Sequence, residues 1–566
     1  MKFSAFIYLA SFCCISAKSY GTEVQLIRSD GDVITGLEKN GVESYRGIPF
    51  ANAPLGNLRF RPSIPYNGSL DGFRATDYGP SCYNQNFVKN QQSLKYILPL
   101  IRNITPSLLD FAKSTDQSED CLNLNVYRPA GVPSNAKLPV MVWVYGGAFQ
   151  TGSSAMYPGE KWIQHSVKLG EPVIFVTINY RLGPFGFLGG NAIADEGSGN
   201  PAIWDVVNGF KWVQDNIADF GGNPDRITAL GESSGAMMIT HTMLSSIWKR
   251  KPLFNAAVLQ SGSLLPFGPV DAPKATELFW FFANGAGCGT TSSGQKATEE
   301  EALKCLRFSN TKTLWDAQSY NMNPGEVYDI ANEFIVWGPR QDGYILEKNP
   351  LLLAEEGRLP DIPIIIGNQE DEGTLISLIT ATRSNEEFES LMRKWFPSGG
   401  ECLETALKMY PMDKAEGAPF RTGNANELYP GFKRSSAFLT DLLYVSTRRQ
   451  FLSATEKNRS PRYTYFSDSL HNKVPFLGTF HTNCIIFEFF LDKFYPSNAY
   501  RGYFISFANH FDPNTNNGGL IQFPQYHEST QDAVKISFKN GSLMKDDYRR
   551  DRTNYILSHK EFFETY

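Results

Sequence analysis

The stretch RITALGESSGAMMITHTML, residues 226–244, changes character at its centre. RITALG is short, apolar and β-branched, the pattern of a buried strand. AMMITHTML continues as a helix. Between them lies Gly231-Glu232-Ser233-Ser234-Gly235, a G-x-S-x-G turn with a strand before it and a helix after it. The glycines let strand and helix approach closely, and the turn lifts the serine hydroxyl clear of the backbone at the helix N-terminus. Only Ser233 fits the frame, because Ser234 would need glycine at position 232, which is Glu. A serine hydroxyl is a weak nucleophile at neutral pH. It needs a base to take its proton and donors to hold a developing oxyanion.

Outward from this turn the same alternation recurs. PVMVWVYGG (139–147), PVIFVTINY (172–180), NAAVLQSG (255–262), IPIIIGN (362–368) and RYTYFS (462–467) read as further buried strands. Helical stretches such as 202–219 and 234–246 lie between them. The alternation predicts an α/β fold with a large, mostly parallel central sheet and helices on both faces. Functional groups of such sheets lie just past the carboxyl ends of the strands. Tyr145-Gly146-Gly147-Ala148-Phe149 follows one strand and has the small residues an oxyanion loop needs. The N–H groups of Gly147, Ala148 and Ser234 are the candidate donors.

The 566 residues carry 53 Lys plus Arg against 58 Asp plus Glu, a net charge of −5, with no basic run. This balance argues against nucleic-acid binding. Lys2 followed by FSAFIYLASFCCIS predicts a secretory signal peptide over 1–19, too short to span a bilayer, with cleavage near Ala17 to Ser19. The remainder, 20–566, shows no repeat, linker or transmembrane anchor and is expected to be one exported domain. Six cysteines remain after the leader, none at metal-ligand spacing, so no metal is expected. In an oxidising compartment some of them should pair. Asn67, Asn103, Asn458 and Asn540 begin sequons and are possible glycosylation sites.

Longer segments carry a resemblance. YRGIPFANAPLGNLRF (45–60), YGPSCYNQN (78–86), SEDCLNLNVYRP (118–129), YGGAFQTGSSAMYPG (145–159), INYRLGPFGFLGG (178–190), GESSGA (231–236), GNQEDEGT (367–374) and VPFLGTFHTN (474–483) stand in order along nearly the whole chain. With them the protein resembles the type-B carboxylesterase/lipase family of the α/β-hydrolase fold. It is most similar to the fungal extracellular lipases of the Geotrichum and Candida kind. The resemblance implies that Glu372, in Asp371-Glu372-Gly373, is the triad acid and that His481 is the base. Without it His510 and His527 would compete with His481. Glu370 and Asp371 are expected to be solvated turn charges. The resemblance also implies Cys82–Cys121 and Cys288–Cys305 disulfides, a supporting role for Ser261, and a lid or flap over 83–120 that meets a lipid–water interface. It implies a lipid ester substrate, no cofactor and a monomer.

Three departures from the family pattern stand out. Ser234 replaces the usual alanine after the nucleophile. Pro201-Ala202-Ile203-Trp204-Asp205-Val206 keeps the family's Asp and loses its Gln. Cys484 stands where relatives often carry Asp, and Cys402 and Cys484 are either free or paired with each other. The expected activity is that of a secreted lipase on acylglycerols. The alternatives are a carboxylesterase of soluble short-chain esters and, further off, a non-catalytic adhesion protein of cholinesterase type. Residues 83–120 contain no Trp to hold a quaternary ammonium, which argues against choline esters.

Overall fold

A computed structural model describes residues 21–85, 116–318, 336–380 and 382–562. The leader, Asn103 and residues 86–115, which hold most of the expected flap, lie outside the described residues. Twelve strands form one sheet: β1 (Thr22–Ile27), β2 (Val33–Lys39), β3 (Val42–Pro49), β4 (Asn123–Pro129), β5 (Leu138–Val144), β6 (Ile174–Ile178), β7 (Gly222–Glu232), β8 (Ala256–Gln260), β9 (Ile364–Gln369), β10 (Arg462–Ser467), β11 (Asp532–Ile536) and β12 (Gly541–Lys545). Their spatial order is β1-β2-β3-β4-β6-β5-β7-β8-β9-β10-β11-β12. The block from β6 to β11 is parallel throughout. It contains all six strands read from the sequence. β1 to β4 and β12 add antiparallel flanks. Most of these flanking strands are partly exposed and alternate weakly, so they give no continuous apolar run.

β5, β6, β8, β9 and β10 are buried almost from end to end because helices cover both faces, and β7 is buried over its last six residues, up to Glu232. These include α1 (Pro201–Asn216), α2 (Ser234–Leu244), α3 (Glu372–Ile379), α4 (Phe432–Thr440), α5 (Ser446–Ala454) and α6 (Tyr495–His510). Phe504 of α6 stacks on Trp162, and Trp143, Tyr157, Phe175 and Phe489 pack around that pair in tilted, stacked or edge-to-face contacts. No helix among the described residues is long and apolar enough to cross a membrane.

The disulfides Cys82–Cys121 and Cys288–Cys305 are formed, while Cys402 and Cys484 are free thiols. The two ends of the 83–120 segment run side by side: Ser81 donates to Asp116 O, and Ser118 donates to Ser81 O. Asn67 and Asn540 are exposed. Asn458 is half-buried, and its Nδ2 donates to Pro360 O at 3.0 Å.

Candidate active site

The turn 231–235 is compressed. A Cβ on Gly235 would fall 2.0 Å from Val144 O, and one on Gly231 would fall 2.7 Å from Gly235 C. Any side chain there would push α2 off the sheet. Ser233 takes φ +56°, ψ −129°, a sparsely populated conformation for a non-glycine residue. Its N–H donates to Gln260 O at 2.8 Å, which ties the turn to the end of β8. Its side chain then stands at the first turn of α2.

His481 lies on the loop after β10, and Glu372 opens α3 after β9. Their side chains meet Ser233 in one buried row. His481 Nε2 is 2.8 Å from Ser233 Oγ, and His481 Nδ1 donates to Glu372 Oε2 at 2.6 Å. Glu372 is fully buried, and its Oε1 accepts the Gln369 N–H at 2.7 Å. The other candidate histidines are elsewhere: His510 pairs with Glu171, and His527 is exposed.

The loop after β5 packs directly on the serine. A Cβ on Gly146 would fall 2.8 Å from Ser233 Cβ, so Gly147 and Ala148 are held beside it. Ala148 and Phe149 take φ of +55° and +61°, a strained pair of the kind that clusters at functional sites. Ser234, the departure from alanine, has a use here: its Oγ accepts the Phe149 N–H at 3.2 Å and fastens this loop to α2. Ser261 is buried with φ +51°. Its N–H donates to Gly367 O, and the next residue, Gly262, lies against Ser233 O. Asp205 keeps its partner, a bidentate Arg181 at 2.7 Å, and Val206 fills core space where the family's Gln would stand.

The expectation that Glu370 and Asp371 are solvated is overturned. Both are buried. Glu370 accepts from both arms of Arg421 and contacts His471 Nδ1. Asp371 accepts the Phe420 and Thr479 N–H groups, each at 2.8 Å. Burial, then the neighbouring Glu370 charge, pushes its pKa well up against those donors. These two carboxylates stitch the acid turn to the loop carrying His481 only two residues beyond Thr479. The partners come from 49 to 108 positions along the chain, so a local reading of the turn misses them.

Two residues at the site carry no sequence motif of their own. Glu232 fills the variable position of G-x-S-x-G and is buried, with Oε1 3.6 Å from His481 Nε2. Burial pushes its pKa up to about 7, opposed by the His481 charge. Tyr444 is also buried. Its ring lies 4.6 Å from the imidazole, and its hydroxyl is 3.4 Å from Nε2. Just before Tyr444 in the chain, Leu442 and Leu443 line a small, largely apolar cavity of about 30 Å³ together with Leu264, Leu265 and Pro266. No group of three or more potential metal ligands occurs among the described residues.

Comparison with known proteins places this arrangement. The model of the Carboxylesterase family matches residues 27–556. Lipase 2 of Geotrichum candidum is 42% identical over 530 residues, 92% of each chain. Secreted lipase 1 of Botryotinia fuckeliana is 36% identical over 553 residues, 95% of this chain and 93% of that one. The crystal structure of Aspergillus niger EstA superposes with a TM-score of 0.77 at 22% identity, covering 96% of this chain and 99% of that one. The chain therefore belongs to the carboxylesterase family, with the α/β-hydrolase fold. It is a carboxylic ester hydrolase.

Proposed function

We propose that this protein is a secreted serine lipase that cleaves acylglycerol esters through a Ser233–His481–Glu372 triad and an acyl-enzyme. The observation that carries this reading is the continuous hydrogen-bonded row of Oγ, imidazole and buried carboxylate at the ends of β7, β9 and β10. His481 Nε2 takes the Ser233 proton as Oγ attacks the ester carbonyl carbon. The N–H groups of Gly147, Ala148 and Ser234 hold the oxyanion. The intermediate collapses, and the alcohol leaves with the proton from Nε2. Water then attacks the acyl carbon by the same route and releases the fatty acid. Glu372 fixes the Nδ1–H tautomer and stabilises the imidazolium. Export rests on the 1–19 leader, and the lipase reading on the named function of the relatives.

A p-nitrophenyl ester series from about two to eighteen carbons, run beside a triglyceride emulsion, tests the substrate class. A lipase hydrolyses the emulsion and keeps its rate on long chains. A rate confined to short soluble esters would assign the protein to the alternative, a short-chain carboxylesterase.

The pH dependence has a definite sign. Burial opposes a charge on His481, but Glu232 and Glu372 outweigh it and hold its pKa above the usual imidazole range. Only the neutral ring accepts the serine proton, so activity is lost as pH falls through that raised value. The acid limb of kcat/KM should lie above the ordinary value of about 6.5. Glu232→Gln removes one of the two attracting carboxylates, and the limb should move to lower pH. A limb that moves up, or stays, would contradict this account.

A further inference from the structure

Three oxygens stand around His481 Nε2: Ser233 Oγ at 2.8 Å, Tyr444 Oη at 3.4 Å and Glu232 Oε1 at 3.6 Å. Ser233 is the nucleophile and Glu232 an electrostatic neighbour. Tyr444 reaches the ring from a third direction in the fold, and its placement is specified by an unusual local structure. α4 does not continue regularly into α5. Asp441–Val445 forms a π-helical turn, a feature that often marks functional sites because it shifts side-chain register within a helix.

That turn is anchored at both ends. Before it, Thr440 Oγ1 accepts the Gly373 N–H at 2.8 Å, which sets α4 against the start of α3 beside Glu372. At its first residue, Asp441 is fully buried, takes a bidentate contact from Arg549 and accepts the Tyr410 hydroxyl at 3.0 Å. After it, Arg448 and Arg449 are tied to Asp546. The phenol is thus fixed on the imidazole by ion pairs, not left to a mobile side chain.

Among the described residues, His481 is the hydrogen-bond partner of the Tyr444 hydroxyl. At 3.4 Å this contact is too long to use the hydroxyl fully. A buried phenol with spare donor and acceptor capacity next to Nε2 suits an oxygen that bonds to Nε2 only during turnover. Two such oxygens exist, the leaving alcohol's and the attacking water's, and they use the same locus by microscopic reversibility. The alcohol oxygen is also steered by its covalent attachment to the rest of the substrate. Water has no such attachment, so it depends more on the protein for orientation.

We propose, resting on the triad reading above, that the Tyr444 hydroxyl positions the deacylating water together with His481 Nε2. In that step the water oxygen forms a bond to the acyl carbon and gives one proton to Nε2. The tetrahedral intermediate then breaks its bond to Ser233 Oγ, and Oγ recovers that proton. Tyr444 exchanges no proton. It holds the water oxygen by one hydrogen bond.

The test compares wild type with Tyr444→Phe, which keeps the ring, using p-nitrophenyl butyrate in the full exported chain. Rates are normalised to active sites titrated with an organophosphate, so misfolded material drops out. Steady-state deacylation should fall about three- to tenfold while acylation stays within about twofold. Decay of the pre-formed butyryl-enzyme, followed after rapid removal of free substrate, should slow by the same factor; this rate is read after acylation and does not depend on which step limits turnover. Equal decay rates in the two proteins would overturn the proposal, as would a fall in stability with the decay rate unchanged. Failure of the organophosphate to label wild-type Ser233 would instead overturn the triad reading on which the proposal rests.

Discussion

Ser233→Ala should lower ester hydrolysis by about 10⁴- to 10⁶-fold in kcat, with the fold unchanged. The substitution removes only Oγ. It keeps the Cβ and the N–H to Gln260 O that holds the turn, so a stability difference would be small. His481 and Glu372 would remain hydrogen-bonded to each other, but with nothing to activate. The residual rate would come from the oxyanion donors and substrate binding alone. Burst titration and organophosphate labelling give a second readout: stoichiometric in wild type, absent in the variant. A variant retaining more than about a thousandth of the wild-type rate would show that another group is the nucleophile.

Asp546→Ala should be the most destabilising single change outside the site. Asp546 lies one residue past β12 and is almost fully buried. It accepts Arg448 Nη2 at 2.6 Å and Arg449 Nη2 at 2.9 Å. Burial opposes its charge, but the two arginines prevail and hold its pKa below the usual carboxylate range. Arg448 continues to Asn368 and Thr464, which joins α5 to β9 and β10. Removing the carboxylate leaves two buried guanidinium groups without a counter-charge. The expected cost is about 3–5 kcal/mol, a large part of the roughly 5–15 kcal/mol that stabilises a folded domain. Urea unfolding followed by tryptophan fluorescence should show a midpoint shifted strongly down. A midpoint equal to wild type would mean that water or neighbouring oxygens replace the carboxylate. Because α5 follows the Tyr444 turn directly, this variant should also lose activity earlier on heating than it loses its secondary structure.

The parallel centre of the sheet was legible because its strands are buried on both faces. They appear as unbroken apolar runs ending in small residues, and the serine turn follows one of them with its obligatory glycines. Most of the flanking antiparallel strands are partly exposed, so they leave a weaker trace. Glu372 and His481 could be named only through motif resemblance. Nothing in the local composition of either segment singles out one carboxylate or one imidazole. The same locality explains the misreading of Glu370 and Asp371. A charged turn in isolation looks solvated, and only the docking of the 418–422 and 477–481 loops removes it from water.

By itself the sequence determined the parallel centre of the sheet and the serine turn with the helix that follows it, because strand burial and backbone closeness each demand particular residue types at short range; the disulfide pairs came only through the family resemblance. The tertiary structure alone decided which charges are buried, that Ser234 fastens the loop after β5, and that Glu232 and Tyr444 flank the imidazole. Those outcomes depend on contacts between segments tens to hundreds of residues apart, where any polar side chain of suitable length would have looked the same on the page.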